Sequence, residues 1–131
     1  MALSLVSTIL ASAFLVLQVN AQQPPLWPTG GCLSASSNAD GAAVVIEMCS
    51  APTAGNSWVV PNGNNAAGPL QIFGNKCLDV TDGVNADGTR LQIWTCASGN
   101  TNQLWEPEFG PVGNIFWVGK NKVGLCESTL L

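Results

Sequence analysis

The stretch that decides the fold runs from Cys77 to Trp105. It reads Cys77-Leu78-Asp79-Val80, then Asp82-Gly83, then Leu91-Gln92-Ile93-Trp94-Thr95-Cys96, and finally Asn102-Gln103-Leu104-Trp105. Short apolar runs alternate with Asp, Asn and Gly, which is the punctuation of short β-strands. The same pattern stands once earlier in the chain. Asn38-Ala39-Asp40-Gly41 returns 47 residues later as Asn85-Ala86-Asp87-Gly88, and Ile46, Cys49 and Trp58 return at that offset as Ile93, Cys96 and Trp105. Cys32-Leu33 matches Cys77-Leu78 if the first copy has lost two residues. A tetrapeptide, a Cys and a Trp sharing one offset mark an internal repeat. Repeat 1 covers about 32–73 and repeat 2 about 74–119.

Each repeat predicts four short strands. In repeat 1 they are about 32–35, 44–48, 57–60 and 70–73; in repeat 2 they are about 77–80, 91–95, 103–106 and 114–118. The Asp-Gly steps at 40–41 and 87–88 supply the positive-φ residue of tight turns. No window beyond residue 21 sustains a 3.6-residue period, so no substantial helix is expected. Cys32 and Cys49 are 17 apart, and Cys77 and Cys96 are 19 apart, each pair on the first two strands of its own repeat. Pairing within repeats, Cys32–Cys49 and Cys77–Cys96, is the simplest of the connectivities that the sequence leaves open.

Composition narrows the function. The chain has 131 residues, 9% of them charged, with a net charge of −4, four Lys plus Arg, and no His. Without His there is no Ser–His–Asp or Cys–His machinery and no His-based metal site. So few cations leave no groove for nucleic acid. Four cysteines without a CxxC spacing do not read as zinc, and the Asp79–Gly88 run fails the EF-hand pattern because Arg90 holds its twelfth position. No metal and no cofactor are expected.

In motif order and cysteine spacing, repeat 2 resembles one repeat of the ricin B-type lectins, whose signature is Gln-x-Trp. The resemblance implies an all-β, β-trefoil fold, with two of its three four-stranded repeats present. It also implies a sugar site, carried over residue by residue. Asp79 corresponds to the carboxylate that accepts hydrogen bonds from two adjacent hydroxyls, and Trp94 to the aromatic platform. Gln92 corresponds to a polar residue lining the pocket. Asn102 and Gln103 correspond to the amides that contact hydroxyls or hold the aspartate. The chemistry is sound in its own right. An ionised acceptor binds hydroxyls more strongly than a neutral one, and a flat indole suits the apolar face of a pyranose. Galactose and N-acetylgalactosamine are the sugars that the resemblance implies.

Repeat 1 lacks this set. Ser34 stands at the aspartate position, Val45 at the glutamine, Glu47 at the platform, and Gly55-Asn56 at the amide pair. It reads as structural. Trp58 and Trp105, on the third strands, are expected in the core, and Asp82 and Asp87 in turns. The resulting expectation is a non-catalytic, carbohydrate-binding lectin module with one weak site, taking glycans or glycoproteins as partners. The alternatives are a β-trefoil hydrolase inhibitor acting through an exposed loop, or a truncated nonfunctional fragment. A small glycosidase using Asp79, Asp82, Glu106 or Glu108 is disfavoured, because nothing sets two carboxylates across a cleft.

The two ends of the chain carry separate expectations. Residues 3–19 are nearly all apolar or small and carry no charge, and Val19 and Ala21 are the small residues that precede a signal-peptidase cut. A signal peptide over 1–21 is therefore expected, with secretion, an extracellular lectin domain over 22–131, and no membrane insertion after cleavage. After Lys120-Asn121-Lys122 the first strand of a third repeat is due at 123, but the chain reads Val123-Gly124-Leu125-Cys126 and ends five residues later. This tail, 123–131, departs from the repeat and leaves Cys126 without an obvious partner; it reads either as translation into an unspliced intron or as the end of a genuinely short protein, and transcript sequencing would decide. An incomplete barrel leaves strand edges open, so self-association of chains is expected.

Overall fold

The computed structural model describes residues 31–49, 51–108, 114–119 and 123–124. The expected signal peptide, most of the tail and Cys126 lie outside the described residues. The described chain is built from eight strands: β1 (Gly31–Ala35), β2 (Ala42–Met48), β3 (Gln71–Ile72), β4 (Lys76–Val80), β5 (Leu91–Thr95), β6 (Trp105–Glu108), β7 (Asn114–Trp117) and β8 (Val123–Gly124). One sheet runs β1-β2-β5-β4-β3 and the other β6-β7-β8, and every pairing is antiparallel. Among the described residues the only helical elements are three-residue 3-10 turns at Ala54–Asn56, Thr81–Gly83 and Thr101–Gln103. None of these is long enough or apolar enough to cross a membrane.

The internal repeat is visible as repeated geometry. The hairpins β1–β2 and β4–β5 pair in the same register, with Cys32 opposite Glu47 and Ser34 opposite Val45 in one, and Cys77 opposite Trp94 and Asp79 opposite Gln92 in the other. Each repeat carries its own disulfide, Cys32–Cys49 with Cα atoms 5.2 Å apart and Cys77–Cys96 with Cα atoms 5.0 Å apart. Each closes a loop of nearly 20 residues, worth about 3 kcal/mol in the chain-entropy model. The Asp-Gly turns also match. Ala42 donates its amide to the Ala39 carbonyl, Thr89 donates to the Ala86 carbonyl, and Gly41 and Gly88 both hold φ near 80°. Only the glycine of each pair takes positive φ, the pattern of a type II turn.

Fourteen buried apolar side chains form one core, drawn from both repeats. Its largest members are three tryptophans, Trp58, Trp105 and Trp117; Trp58 and Trp105 are 1% and 0% exposed, as expected for the third-strand tryptophans. Each buried indole has a hydrogen-bond partner in its own repeat. Trp58 Nε1 donates to the Leu33 carbonyl and Trp105 Nε1 to the Leu78 carbonyl, both at 2.8 Å. A buried indole N–H without a partner would cost about 1–3 kcal/mol, so these bonds let the core use its bulkiest side chains.

Three strands differ in kind or extent from the sequence reading, beyond shifts of a residue or two at other ends. The strand expected at 57–60 is reduced to one bridge, Val59 to Gln71. The strand expected from Gln103 begins at Trp105, because Thr101–Gln103 winds into a 3-10 turn whose N-cap is Asn100. The strand expected over 70–73 is confined to Gln71–Ile72, since Phe73 and Gly74 take positive φ to turn the chain into β4. At the far end, β8 pairs with β7 where the first strand of a third repeat is due.

Candidate functional site

The site is assembled on the β4–β5 hairpin. Asp79 and Gln92 face each other across the ladder, and Trp94 lies two residues along β5 on the same face, because side chains alternate along a strand. Asp79 is buried, 4% exposed, whereas the Trp94 indole is 45% exposed. The arrangement is an anchored carboxylate beside an open aromatic plate.

Three carboxamides hold the Asp79 carboxylate. Gln92 Nε2 donates to Oδ1 at 3.0 Å, Gln103 Nε2 to Oδ2 at 3.1 Å, and Asn100 Nδ2 to Oδ2 at 3.4 Å. A buried charge without partners is costly, so these donors are what allow Asp79 to sit there. A carboxylate offers about four lone-pair sites. Of the three contacts the one from Asn100 is the longest.

Gln103 is 3% exposed and stands behind the site rather than in it. Its Nε2 donates also to the Thr95 carbonyl at 3.2 Å, and its Oε1 accepts the Ala97 amide at 3.0 Å. Both ends of the side chain are therefore occupied, which fixes the direction of its bond to Asp79. The 3-10 turn is closed in the same way: Asn100 Oδ1 accepts the Asn102 amide at 3.0 Å.

A shallow depression of about 210 Å³ is lined by Asp79, Asp82, Gln92, Trp94, Asn100 and Asn102. Four of the five residues singled out in the sequence line it, and the fifth, Gln103, braces it. Two lining residues were not among the five. Asn100 precedes the Gln-x-Trp motif and enters only because the 3-10 turn folds it back. Asp82 is a turn residue, as read, but its left-handed backbone, φ 54°, also brings it to the rim. Aspartate tolerates that conformation better than most side chains. Gly83 follows with φ 61°, and a Cβ there would run into the Asn102 carboxamide, so the glycine is what allows this close approach. A larger cavity, about 410 Å³, lies beside the Cys77–Cys96 disulfide and includes Pro69, Ser98 and Leu104. It has no charged and no aromatic lining residue.

The equivalent place in repeat 1 has different chemistry. Ser34 faces Val45, and Glu47 occupies the register of Trp94. Asn56 spends its carboxamide on its own loop, accepting the Thr53 amide at 2.7 Å and donating to the Ala51 carbonyl at 3.2 Å.

Two comparisons bear on this geometry. The chain is similar in structure to a designed three-fold symmetric protein, ThreeFoil, with a TM-score of 0.53 and 22% sequence identity over 73% of this chain and 79% of that one. At that identity the likeness speaks to fold alone, and the fold is the β-trefoil. The family model of the ricin-type β-trefoil lectin domain matches residues 18–105, a span that contains both hairpins and every residue of the depression. With more than half of its length matched, the chain belongs to the ricin-type β-trefoil lectin family.

Proposed function

We propose that this protein is a secreted, non-catalytic carbohydrate-binding module with one galactoside site, formed by Asp79, Gln92, Trp94 and Asn102 in repeat 2 and braced by Gln103. The observation that carries the proposal is the pairing of a buried carboxylate, held by three amides, with an exposed indole at one depression. The carboxylate accepts hydroxyl hydrogen bonds, the amides orient the ring, and the indole stacks on its apolar face. No Lys or Arg lines the depression, which suits a neutral sugar.

Galactose or N-acetylgalactosamine is the proposed ligand class, with glycans or glycoproteins as the partners. A shallow site with few contacts gives weak affinity, on the order of millimolar, or about −4 kcal/mol. Association of chains is proposed alongside this, since clustering raises the avidity of weak sites. Sedimentation equilibrium checks it, with a concentration-dependent mass expected. Secretion is supported by the two disulfides, which persist in oxidising compartments.

Titration with galactose, followed by tryptophan fluorescence, tests the proposal. Saturable binding is expected, and it is lost in Asp79→Ala and in Trp94→Ala. Unchanged binding in Asp79→Ala would remove the carboxylate from the site.

A further inference from the structure

Trp94 is held in place from outside its own repeat. Its neighbours on both sides are bonded to the Asp40-Gly41 turn of repeat 1. On one side, the Ile93 carbonyl accepts the Gly41 amide at 2.9 Å. On the other, the Thr95 amide donates to Asp40 Oδ1 at 2.6 Å, and the Thr95 hydroxyl lies 3.0 Å from each Asp40 oxygen. Lys76 Nζ completes the junction, donating to Asp40 Oδ1 at 2.7 Å and to Thr95 Oγ1 at 2.9 Å. Just past the turn, Ala42 and Ala43 pair with Ile93 and Gln92, so the same strand segment reaches the second site residue on β5. Gly41 also lies against the indole: a Cβ built on it would stand 3.7 Å from Trp94 Cζ3.

These contacts are not needed to close either hairpin. Both hairpins have their own disulfide and ladder. They act where repeat 1 meets the one exposed aromatic residue of the depression. We infer that the Asp40-Gly41 turn of repeat 1 positions the repeat-2 site, with Asp40 as a positioning residue that holds Thr95 on one side of the Trp94 platform while the Gly41 amide holds Ile93 on the other. Repeat 1 has no carboxylate–amide–indole set, and its contribution to binding is this support. The inference rests on the reading of Trp94 as the sugar platform, and it predicts that ligand affinity depends on a residue that does not line the depression.

The test combines galactose titration with the indole N–H signals of the ¹⁵N-labelled protein, assigned through single Trp→Phe variants. In Asp40→Ala, the Trp94 signal is expected to move while those of Trp58 and Trp105 stay. Galactose affinity is expected to weaken roughly threefold to tenfold, the range for losing one net hydrogen bond. Asp40→Asn, which keeps an acceptor for the Thr95 amide, is expected to recover part of that loss. Parental affinity and an unmoved Trp94 signal in Asp40→Ala would overturn the inference. So would a joint shift of all three signals, which would make Asp40 a general lock of the fold. If the parent protein does not bind galactose, the proposed function fails. The Trp94 signal in Asp40→Ala then still decides whether the turn positions the indole.

Discussion

Repeats 1 and 2 share a scaffold and differ in what it presents. Both set a leucine carbonyl to receive a buried indole N–H, both close a hairpin with a disulfide, and both end that hairpin in an Asp-Gly turn. On the outer face, repeat 2 offers Asp79, Gln92 and Trp94 where repeat 1 offers Ser34, Val45 and Glu47. The difference teaches that scaffold and site are specified by separate residues. Core tryptophans, leucines and cysteines recur because every repeat must pack. Site residues do not need to recur, because one depression is enough for one ligand.

The largest effect tests the shared scaffold. Trp58→Ala and Trp105→Ala each remove a fully buried indole and are expected to cost about 3–5 kcal/mol. Denaturant unfolding followed by circular dichroism checks this. Similar losses are expected in the two repeats, and a near-neutral result in one would break the equivalence.

The disulfides sharpen the comparison. Removing Cys32 and Cys49 together, or Cys77 and Cys96 together, is expected to cost about 3 kcal/mol in either repeat. The effect on the site is expected to be unequal. Cys96 leads directly to Ala97, whose amide fixes Gln103, and Gln103 holds Asp79. Galactose titration under conditions where both double variants remain folded should show weakened binding only for the Cys77/Cys96 pair.

The smallest effect concerns the junction between the repeats. The Lys76 hydrogen bond is the main cause holding the Asp40 carboxyl below its usual 3.8; burial opposes it, and the Thr95 bonds add to it. A carboxylate whose pKa is lowered in the folded state stabilises that state above its ordinary pKa. The contribution is lost as pH falls through the lowered value. Stability from this link is therefore present above pH 3.8 and disappears only below it. Acid unfolding of Asp40→Asn beside the parent protein measures it, with a small difference at neutral pH that vanishes in strong acid.

Much of this was legible in the chain itself. The 47-residue offset between repeats, the cysteine pairs and the buried tryptophans follow from recurrence and alternation, and the structure places them accordingly. Asp79 and Gln92 were legible as strand residues, and the ladder sets them opposite one another. Asn100 was not, because a three-residue 3-10 turn has no periodicity to betray it, and that turn alone brings the side chain to Asp79. Asp82 read as a turn residue, and only its left-handed backbone sends it to the rim. The Asp40 junction was hidden for another reason. Its partners lie 36 and 55 residues away, and no local pattern encodes a contact between repeats.

The central claim is that one repeat binds and the other supports. Mapping backbone and indole ¹H–¹⁵N shifts during a galactose titration tests it most directly. Saturable shifts are expected at Asp79, Gln92, Trp94, Asn100 and Asn102, with Ser34, Val45 and Glu47 unmoved. Saturable shifts centred on the repeat-1 residues, or none at either place, would contradict it.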